Sequence, residues 1–181
     1  MKEINSNKIK NRIKVHFRKN RQIINRQIND FFDWVKGAEL VSLKECNTIE
    51  DPVRPELTLG FRITHGRKIF GLKYNDEIEA IVCIALCPEI PHTVREMNYM
   101  SQAANQDNQR GEIVVAYTVW SRKRGAGREI INKLREWTIE NNFAKLVTLS
   151  PLTPMATHFH ISNGAKQINI NDETQNFEYK L

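Results

Sequence analysis

The 181 residues include 40% apolar and 27% charged side chains, which is typical of a soluble globular protein. The longest apolar runs, such as residues 81–87, are far shorter than the ~18 residues that cross a bilayer, and three cysteines cannot all pair. Disorder, a membrane span and a disulfide scaffold are therefore disfavoured. Because the start of the chain lacks the pattern of a signal peptide, we expect a cytoplasmic protein.

The net charge of +6 is concentrated at the start of the chain. Residues 1–28 contain nine cations and one anion, so the remainder is close to neutral, at −2. Such a segment can bind nucleic acid or another acidic partner through charge neutralisation, and it can equally be a solvated terminus. We expect a basic N-terminal arm over residues 1–20 and a single domain over 21–181.

The predicted elements begin with a helix that ends at Gly37, because apolar residues from Ile24 to Val35 recur at helical spacing. Loose alternation then predicts strands over 57–64, 68–74 and 78–86, and Asn75-Asp76 predicts a tight hairpin turn. A short helical turn near 94–100 precedes a polar surface connection over 101–110.

The second half of the chain contains a strand over 112–120, a glycine-containing loop, an amphipathic helix over 130–138 and a strand over 145–149. A strand–helix–strand unit favours a right-handed crossover with one parallel pair. A brief helix over 155–161 and strands at 167–170 and 177–181 complete the pattern. We predict an α+β fold with a mixed, mostly antiparallel sheet, flanking helices and one parallel strand pair.

The loop between the strand and the amphipathic helix has the features of an anion site. Arg122, Lys123 and Arg124 precede Gly125-Ala126-Gly127. Glycines let backbone N–H groups approach an anion, and a helix start adds unpaired donors and a positive dipole end. A diphosphate is the ligand that fits, while a tight turn packed on the helix explains the glycines equally well. The loop lacks a Walker lysine–serine pair and the third glycine of a dinucleotide fingerprint.

The arrangement of Arg122, Gly125 and Gly127 between strand and helix resembles the acyl-CoA pyrophosphate loop of the GNAT (N-acetyltransferase) superfamily. The resemblance implies that strands 112–120 and 145–150 splay apart around the pantetheine arm. Acetyl-CoA or another acyl-CoA is then the expected substrate, and no metal is expected. Together with the motif described next, the resemblance assigns CoA binding to Val119, Arg122, Lys123, Arg124, Gly125, Ala126, Gly127, Arg128 and Asn163.

The end of the chain resembles the catalytic domain of malonyl-CoA decarboxylases, a family that shares the GNAT fold. The similar segments are Thr148–Pro151, Phe159–Ala165 and Asn176–Tyr179, in that order. The resemblance implies catalytic roles for Ser150 and His160.

Ordinary chemistry suggests a task for each candidate. His160 can protonate a leaving thiolate, Ser150 can polarise a thioester or hold a carboxylate, and Glu112 is the candidate base, directly or through water. Each also has a structural interpretation: a helix-packing histidine, a turn residue before Pro151 and a surface carboxylate at a strand end. Tyr179 is interpreted as a core or edge aromatic residue.

These observations predict an acyl-CoA-dependent acyltransferase that moves an acetyl or other short acyl group from CoA to an unidentified acceptor. Decarboxylation of malonyl-CoA by Ser150 and His160 is the alternative enzymatic activity. A non-catalytic module that binds CoA or nucleic acid is the alternative outside catalysis. No membrane partner is expected.

Overall fold

The computed structural model describes the backbone of residues 6–106 and 111–181, and the side chains of residues 20–21, 23–106 and 111–181. The chain divides into two compact units, Met1–Ala38 and Glu39–Leu181. None of the described helices is long and apolar enough to cross a membrane. The division into arm and domain at residue 20 stays a prediction.

The first unit consists mainly of one long helix, α1 (Ser6–Gly37). Its end at Gly37 confirms the prediction, but the helix begins at Ser6, well before Ile24, where the apolar spacing that predicted it begins. Asparagine costs less than ~1 kcal/mol in a helix relative to alanine, so scattered asparagines do not end one. Most side chains of the predicted basic arm lie outside the described residues. The predicted binding of nucleic acid or another acidic partner rests on those side chains and stays a prediction.

The second unit is built on a sheet that has eight strands within the described residues. The strands are β1 (Glu39–Leu43), β2 (Lys68–Tyr74), β3 (Glu77–Cys87), β4 (Ile113–Ser121), β5 (Lys145–Thr148), β6 (Ser150–Pro151), β7 (Lys166–Ile170) and β8 (Thr174–Tyr179). The helices are α2 (Leu59–Ile63), α3 (Val94–Gln106), α4 (Ala126–Glu140) and α5 (Pro154–Ser162), with a 3-10 helix at Thr48–Glu50.

The sheet has the order β1-β2-β3-β4-β5-β8-β6, and β7 pairs with β8. Strands β4 and β5 are parallel and are connected through α4, whereas the other pairings of described strands are antiparallel. The predicted α+β fold, with its mostly antiparallel sheet and one parallel pair, is therefore confirmed.

Different helices cover the two faces of the sheet. Along β3, Ile81, Cys83, Ala85 and Cys87 belong to one buried cluster with Met97 of α3. Alternate residues of a strand point to opposite faces, and α4 packs on β3 from the other face. The buried side of α4 confirms the predicted helical spacing and comprises Ala126, Glu129, Ile130, Ile131, Leu134 and Thr138.

The hairpin between β2 and β3 also follows the sequence. Asn75 and Asp76 have φ angles of 47° and 65°, the left-handed values that a two-residue hairpin turn requires. Tyr74 pairs directly with Glu77 across this turn. The predicted turn is confirmed.

Three local predictions were wrong or incomplete. Residues 57–64 do not form a strand, because the side chain of Thr58 accepts a hydrogen bond from the Phe61 N–H (3.2 Å) and caps α2. Weak alternation over so few residues does not distinguish a strand from one helical turn. Helix α3 continues to Gln106, beyond the short turn predicted near 94–100, and β1 was not predicted at all.

The approach of the chain to β4 generates a stability prediction at Gly111. A Cβ atom there would lie 2.5 Å from the Cys87 nitrogen and 2.6 Å from the Leu86 carbonyl carbon. Because both are backbone atoms of β3, we expect Gly111→Ala to lower the free energy of unfolding by about 1–3 kcal/mol. Urea denaturation measures the change. Gly60→Ala is the control, since the nearest atom there is 3.9 Å away, and equal stability of the two variants would contradict the prediction.

Candidate active site

Strands β4 and β5 are paired along only part of β4. Their parallel register ends at Ala116 and Thr148, where the N–H of Leu149 donates to the Ala116 carbonyl (3.0 Å). Beyond this point β4 continues to Ser121 beside β3, and the chain after β5 enters β6, which pairs with β8. The two strands therefore diverge.

A bulge in β4 lies where the divergence begins. Cys83 of β3 faces Thr118, but its neighbour Ile84 faces Ala116, which leaves Tyr117 as the extra residue of β4. A bulge bends the strand that carries it and increases the local twist. The second half of β4 therefore turns away from β5 while remaining paired with β3.

A cavity of about 460 Å³ lies in this opening. Its wall contains the second half of β4, β6 and residues of α4 and α5, with Ser150 and His160 among them. The size is within the range of small-molecule sites. Its larger apolar lining residues are Val53, Val119, Trp120, Ile131, Met155 and Phe159.

Three side chains beside the cavity form a buried chain of hydrogen bonds. The Oγ atom of Ser150, on β6, lies 2.8 Å from Nε2 of His160, on α5. The other ring nitrogen, Nδ1, lies 2.8 Å from the hydroxyl oxygen of Tyr179, on β8. All three residues are buried, with 5%, 5% and 2% of their surface exposed. The structure thus brings the two predicted catalytic residues together and adds a third polar group.

Local sequence holds His160 in this position. Helix α5 begins at Pro154, and the Thr153 side chain caps it by accepting a hydrogen bond from the Ala156 N–H (3.2 Å). Gly164, with φ of 86°, follows the end of the helix. The imidazole also stacks on Phe177 of β8, with ring centroids 4.9 Å apart. The ring therefore has little freedom to rotate away from its partners.

Burial sets the charge state of this chain. Desolvation lowers the pKa of His160 from 6.5 to about 4, because the imidazolium form loses its hydration. The same cause raises the pKa of Tyr179 above its ordinary value. At neutral pH the imidazole is uncharged and the phenol is protonated. The three hydrogen-bonded side chains therefore carry no net charge.

The glycine loop adjoins the same cavity. Gly125 precedes α4 with φ of 89° and gives the helix no side-chain cap. Hydrogen bonds of the loop engage the N–H groups of Ala126, Arg128 and Glu129. The N–H of Gly127 has no partner among the described residues, and Gly127 itself lines the cavity. A Cβ atom at Gly127 would lie 3.4 Å from the Phe159 ring, so glycine leaves room where α4 meets α5.

Most cations of the loop already have partners. Arg122 pairs with Glu50 (2.6 Å), which lowers the pKa of that carboxyl, and Lys123 pairs with Glu79 (2.6 Å). Arg124, which is exposed, has no ion pair with any described residue.

The predicted CoA-binding residue Asn163 is joined to the loop. It ends α5, and its side-chain oxygen accepts a hydrogen bond from Nε of Arg128 (2.7 Å). Val119 lies in the cavity wall, whereas Ala126 is fully buried at the start of α4. Of the predicted CoA-binding set, Val119 and Gly127 line the cavity, and the role of the set in binding stays a prediction.

Glu112 lies elsewhere. It directly precedes β4, at the end opposite the glycine loop, so the nine residues of the strand separate the two by about 30 Å. It is exposed and lines a different depression, of about 610 Å³, with Phe143 and Leu181. The structure does not bring Glu112 together with Ser150 and His160, and its role as a base stays a prediction.

Sequence reasoning missed the contribution of Tyr179. The residue stands in a segment that resembles the decarboxylases, yet an aromatic side chain near the end of a strand usually packs in a core. Thr148 was also unassigned, although its Oγ1 lies 3.2 Å from Ser150 Oγ and accepts a hydrogen bond from the Phe177 N–H (3.2 Å). Only the alternation of side chains along β5 and β8 could have suggested that Thr148 and Tyr179 lie beside Ser150 and His160.

Comparison with known proteins gives structural matches only. No family profile and no curated protein matches the chain. An acetyltransferase from Bacillus subtilis, solved in complex with CoA, matches with a TM-score of 0.54 at 7% identity, over 80% of this chain and 99% of its own. A protein from Desulfovibrio desulfuricans, described as an acetyltransferase of the GNAT family, gives 0.55 at 8% identity over 79% and 98%.

A malonyl-CoA decarboxylase from Cupriavidus metallidurans also matches, with a TM-score of 0.49 at 19% identity over 71% of this chain. The chain spans 35% of the length of that protein. The sheet order, the parallel pair and the acetyltransferase superpositions establish that the chain has the GNAT fold, as the sequence resemblance indicated.

The buried imidazole makes stability depend on pH. Below pH 6.5 the unfolded chain binds a proton at His160, whereas the folded chain does so only near pH 4. The stability linked to this group is therefore complete above pH 6.5 and declines by about 3 kcal/mol as the pH falls to 4. We expect His160→Gln to lack this pH-dependent contribution. The difference in free energy of unfolding between the wild type and this variant should therefore narrow as the pH falls.

Urea unfolding at pH 7.5, 5.5 and 4.5 measures this effect. The control is His158→Gln, which removes an exposed histidine two positions away on the same helix. A difference between the wild type and His160→Gln that does not change with pH would contradict the prediction.

Proposed function

We propose that this chain binds an acyl-CoA and transfers the acyl group to an unidentified acceptor. The observation that carries the proposal is the cavity between the diverging strands, which adjoins the glycine loop at one end and contains Ser150 and His160. The GNAT fold supports it, since the Bacillus subtilis acetyltransferase of the same fold was solved with CoA.

The diphosphate of CoA would bind at the start of α4. The unpartnered N–H of Gly127 and the positive end of the α4 dipole favour an anion there. Arg124 and Arg128 add positive charge on the exposed side of the loop. Arg122 and Lys123 would contribute less, because Glu50 and Glu79 already neutralise them.

The pantetheine arm would lie along the second half of β4. Beyond Ala116 this strand has β3 on one side and the cavity on the other. Backbone groups on the cavity side of β4, near Val119, can therefore bind the amides of pantetheine as an added strand would. The thioester would then reach the closed end of the opening, next to Ser150.

Ser150 would polarise the thioester as the last member of the buried chain. The Tyr179 hydroxyl donates to Nδ1 of His160, because the reverse direction leaves its proton without an acceptor among the described residues. The imidazole then carries its proton on Nε2 and donates to Ser150. Without a ligand the Ser150 hydroxyl donates to Oγ1 of Thr148 (3.2 Å), and it would exchange this long contact for an oxygen of the ligand. In acyl transfer, Ser150 would donate to the carbonyl oxygen as the acceptor bonds to carbon and the carbon–sulphur bond breaks. The proton that the acceptor loses would pass through water to the leaving thiolate, which becomes the thiol of CoA.

Decarboxylation of a malonyl thioester is a second candidate, because the 2.8 Å contact joins Ser150 and His160, the two residues to which the resemblance to the decarboxylases assigns catalysis. The bond between the methylene carbon and the carboxylate would break, releasing carbon dioxide and leaving an enolate. The Ser150 hydroxyl would donate to the enolate oxygen, and a proton from water would complete acetyl-CoA. The same donor thus serves both reactions, which differ in the bond that breaks.

The first test concerns CoA binding. At 100 times its Kd, a ligand raises stability by about 2.7 kcal/mol, so we expect CoA to raise the melting temperature by about 5 °C or more. Arg124→Glu and Arg128→Glu should each reduce this shift, because they place negative charge beside the diphosphate. Arg95→Glu, on the exposed side of α3, is the control for the change in charge. A shift with DNA or RNA but none with CoA would favour a nucleic-acid-binding module.

The second test concerns the reaction. We expect Ser150→Ala to lower the turnover number by about 10²–10³-fold, as loss of an oxyanion donor does, with little change in the binding of CoA. Acetyl transfer to a panel of amines and the release of carbon dioxide from malonyl-CoA are measured in parallel. Ser42→Ala, at an exposed position of β1, is the control. Wild-type turnover retained in Ser150→Ala would contradict the assigned role.

A further inference from the structure

Arg54 lies where β4 and β5 begin to diverge, and it contacts both strands. Its Nε donates to the carbonyl of Tyr117 (3.0 Å), and its Nη2 donates to the carbonyl of Leu149 (3.0 Å). Tyr117 and Leu149 directly follow Ala116 and Thr148, the last residues paired between the two strands. A single guanidinium therefore bridges the two strands at the closed end of the opening.

The bridge meets a need that the divergence creates. A backbone carbonyl that loses its strand partner in the interior must find another donor. The planar guanidinium presents several N–H groups in a fixed fork, so it can serve two carbonyls on separate strands at once. A lysine ammonium in the same place has no such fixed geometry.

Arg54 is itself held by a buried network. The Oδ1 atom of Asp51 accepts hydrogen bonds from the N–H groups of Val53 (2.9 Å) and Arg54 (3.1 Å) and from the Thr118 hydroxyl (2.7 Å). Arg62 donates to Asp51 Oδ2 (2.8 Å) and to the Arg54 carbonyl (2.7 Å). The segment that carries Arg54 is thus attached to β4 independently of the guanidinium.

We propose that Arg54 is a positioning residue that sets the separation of β4 and β5 at the closed end of the cavity. Arg54 is not among the cavity-lining residues, so it acts through the backbone. Tyr117 directly precedes the second half of β4, and Leu149 directly precedes Ser150. A change in the bridge therefore moves the parts of the cavity wall on both sides of the opening. The inference rests on the proposed function, because CoA would bind in the gap whose width Arg54 sets.

The main test compares two arginine-to-lysine substitutions in the full chain. Arg54→Lys removes the bridge. Arg67→Lys is the control, because Arg67 is also buried (4% exposed, against 8% for Arg54) but donates to Asn98 and Ser101 of α3 (2.9 Å each). We expect both variants to lose thermal stability and only Arg54→Lys to raise the Kd for CoA, by about tenfold or more, measured by titration calorimetry.

Hydrogen exchange provides a readout that does not require a ligand. In the unliganded protein, Arg54→Lys should speed exchange in peptides covering 113–121 and 145–152, whereas Arg67→Lys should not. If the wild type fails to bind CoA while this exchange difference is present, the proposed function fails and the bridge stands. If both variants change exchange and affinity alike, the positioning role is wrong.

Chemical rescue keeps the proposal testable if Arg54→Lys folds poorly. Arg54→Ala leaves a space for a free guanidinium ion, so millimolar guanidinium should restore the affinity for CoA to within a few-fold of the wild type. Methylammonium carries the same charge without the fork and should not restore it. Rescue by both ions, or by neither, would overturn the assignment of a geometric role to the guanidinium.

Discussion

Strands β4 and β5 end their pairing at Ala116 and Thr148, and backbone groups beyond that point lose their partners inside the protein. Leaving a buried donor or acceptor unpaired costs about 1–3 kcal/mol, so the opening persists only where other groups supply hydrogen bonds. At its closed end Arg54 supplies them for two carbonyls. Along the rest of β4 the strand edge faces the cavity, where a ligand with amide groups can supply them. The requirement for backbone pairing thus connects the fold to the proposed binding of CoA.

The candidate chemistry depends on the packing of β6, α5 and β8 against one another. Ser150, His160 and Tyr179 come from β6, α5 and β8, so their chain of hydrogen bonds exists only when β8 is paired into the sheet. Burial removes the charge of the imidazole and makes it a fixed neutral donor and acceptor. Such a group suits the orientation of a hydroxyl better than the transfer of a proton at neutral pH. This is why the proposal assigns the contact with substrate to Ser150 and a supporting role to His160.

Local patterns predicted much of the fold, since the interactions that form the hairpin at Asn75-Asp76 and the apolar face of α4 lie within a few residues. They failed over 57–64, where the Thr58 cap outweighs a weak alternation. For the site, the sequence indicated the glycine loop by its chemistry, and it indicated Ser150 and His160 through resemblance. The sequence placed Glu112 and the glycine loop at opposite ends of the predicted strand, but it could not show which end Ser150 and His160 approach, because that depends on where β5 leaves β4.

The sequence by itself determined the order of most elements from β2 onward, the parallel crossover and the residue types available for chemistry, because each follows from spacing along the chain. Tertiary structure alone decided which side chains meet. Tyr179 is 19 residues from His160, Glu50 is 72 from Arg122, and Arg54 is 63 and 95 from the two carbonyls that it bridges. Contacts over such separations depend on the register of the sheet and on the bulge at Tyr117, and no local pattern encodes either.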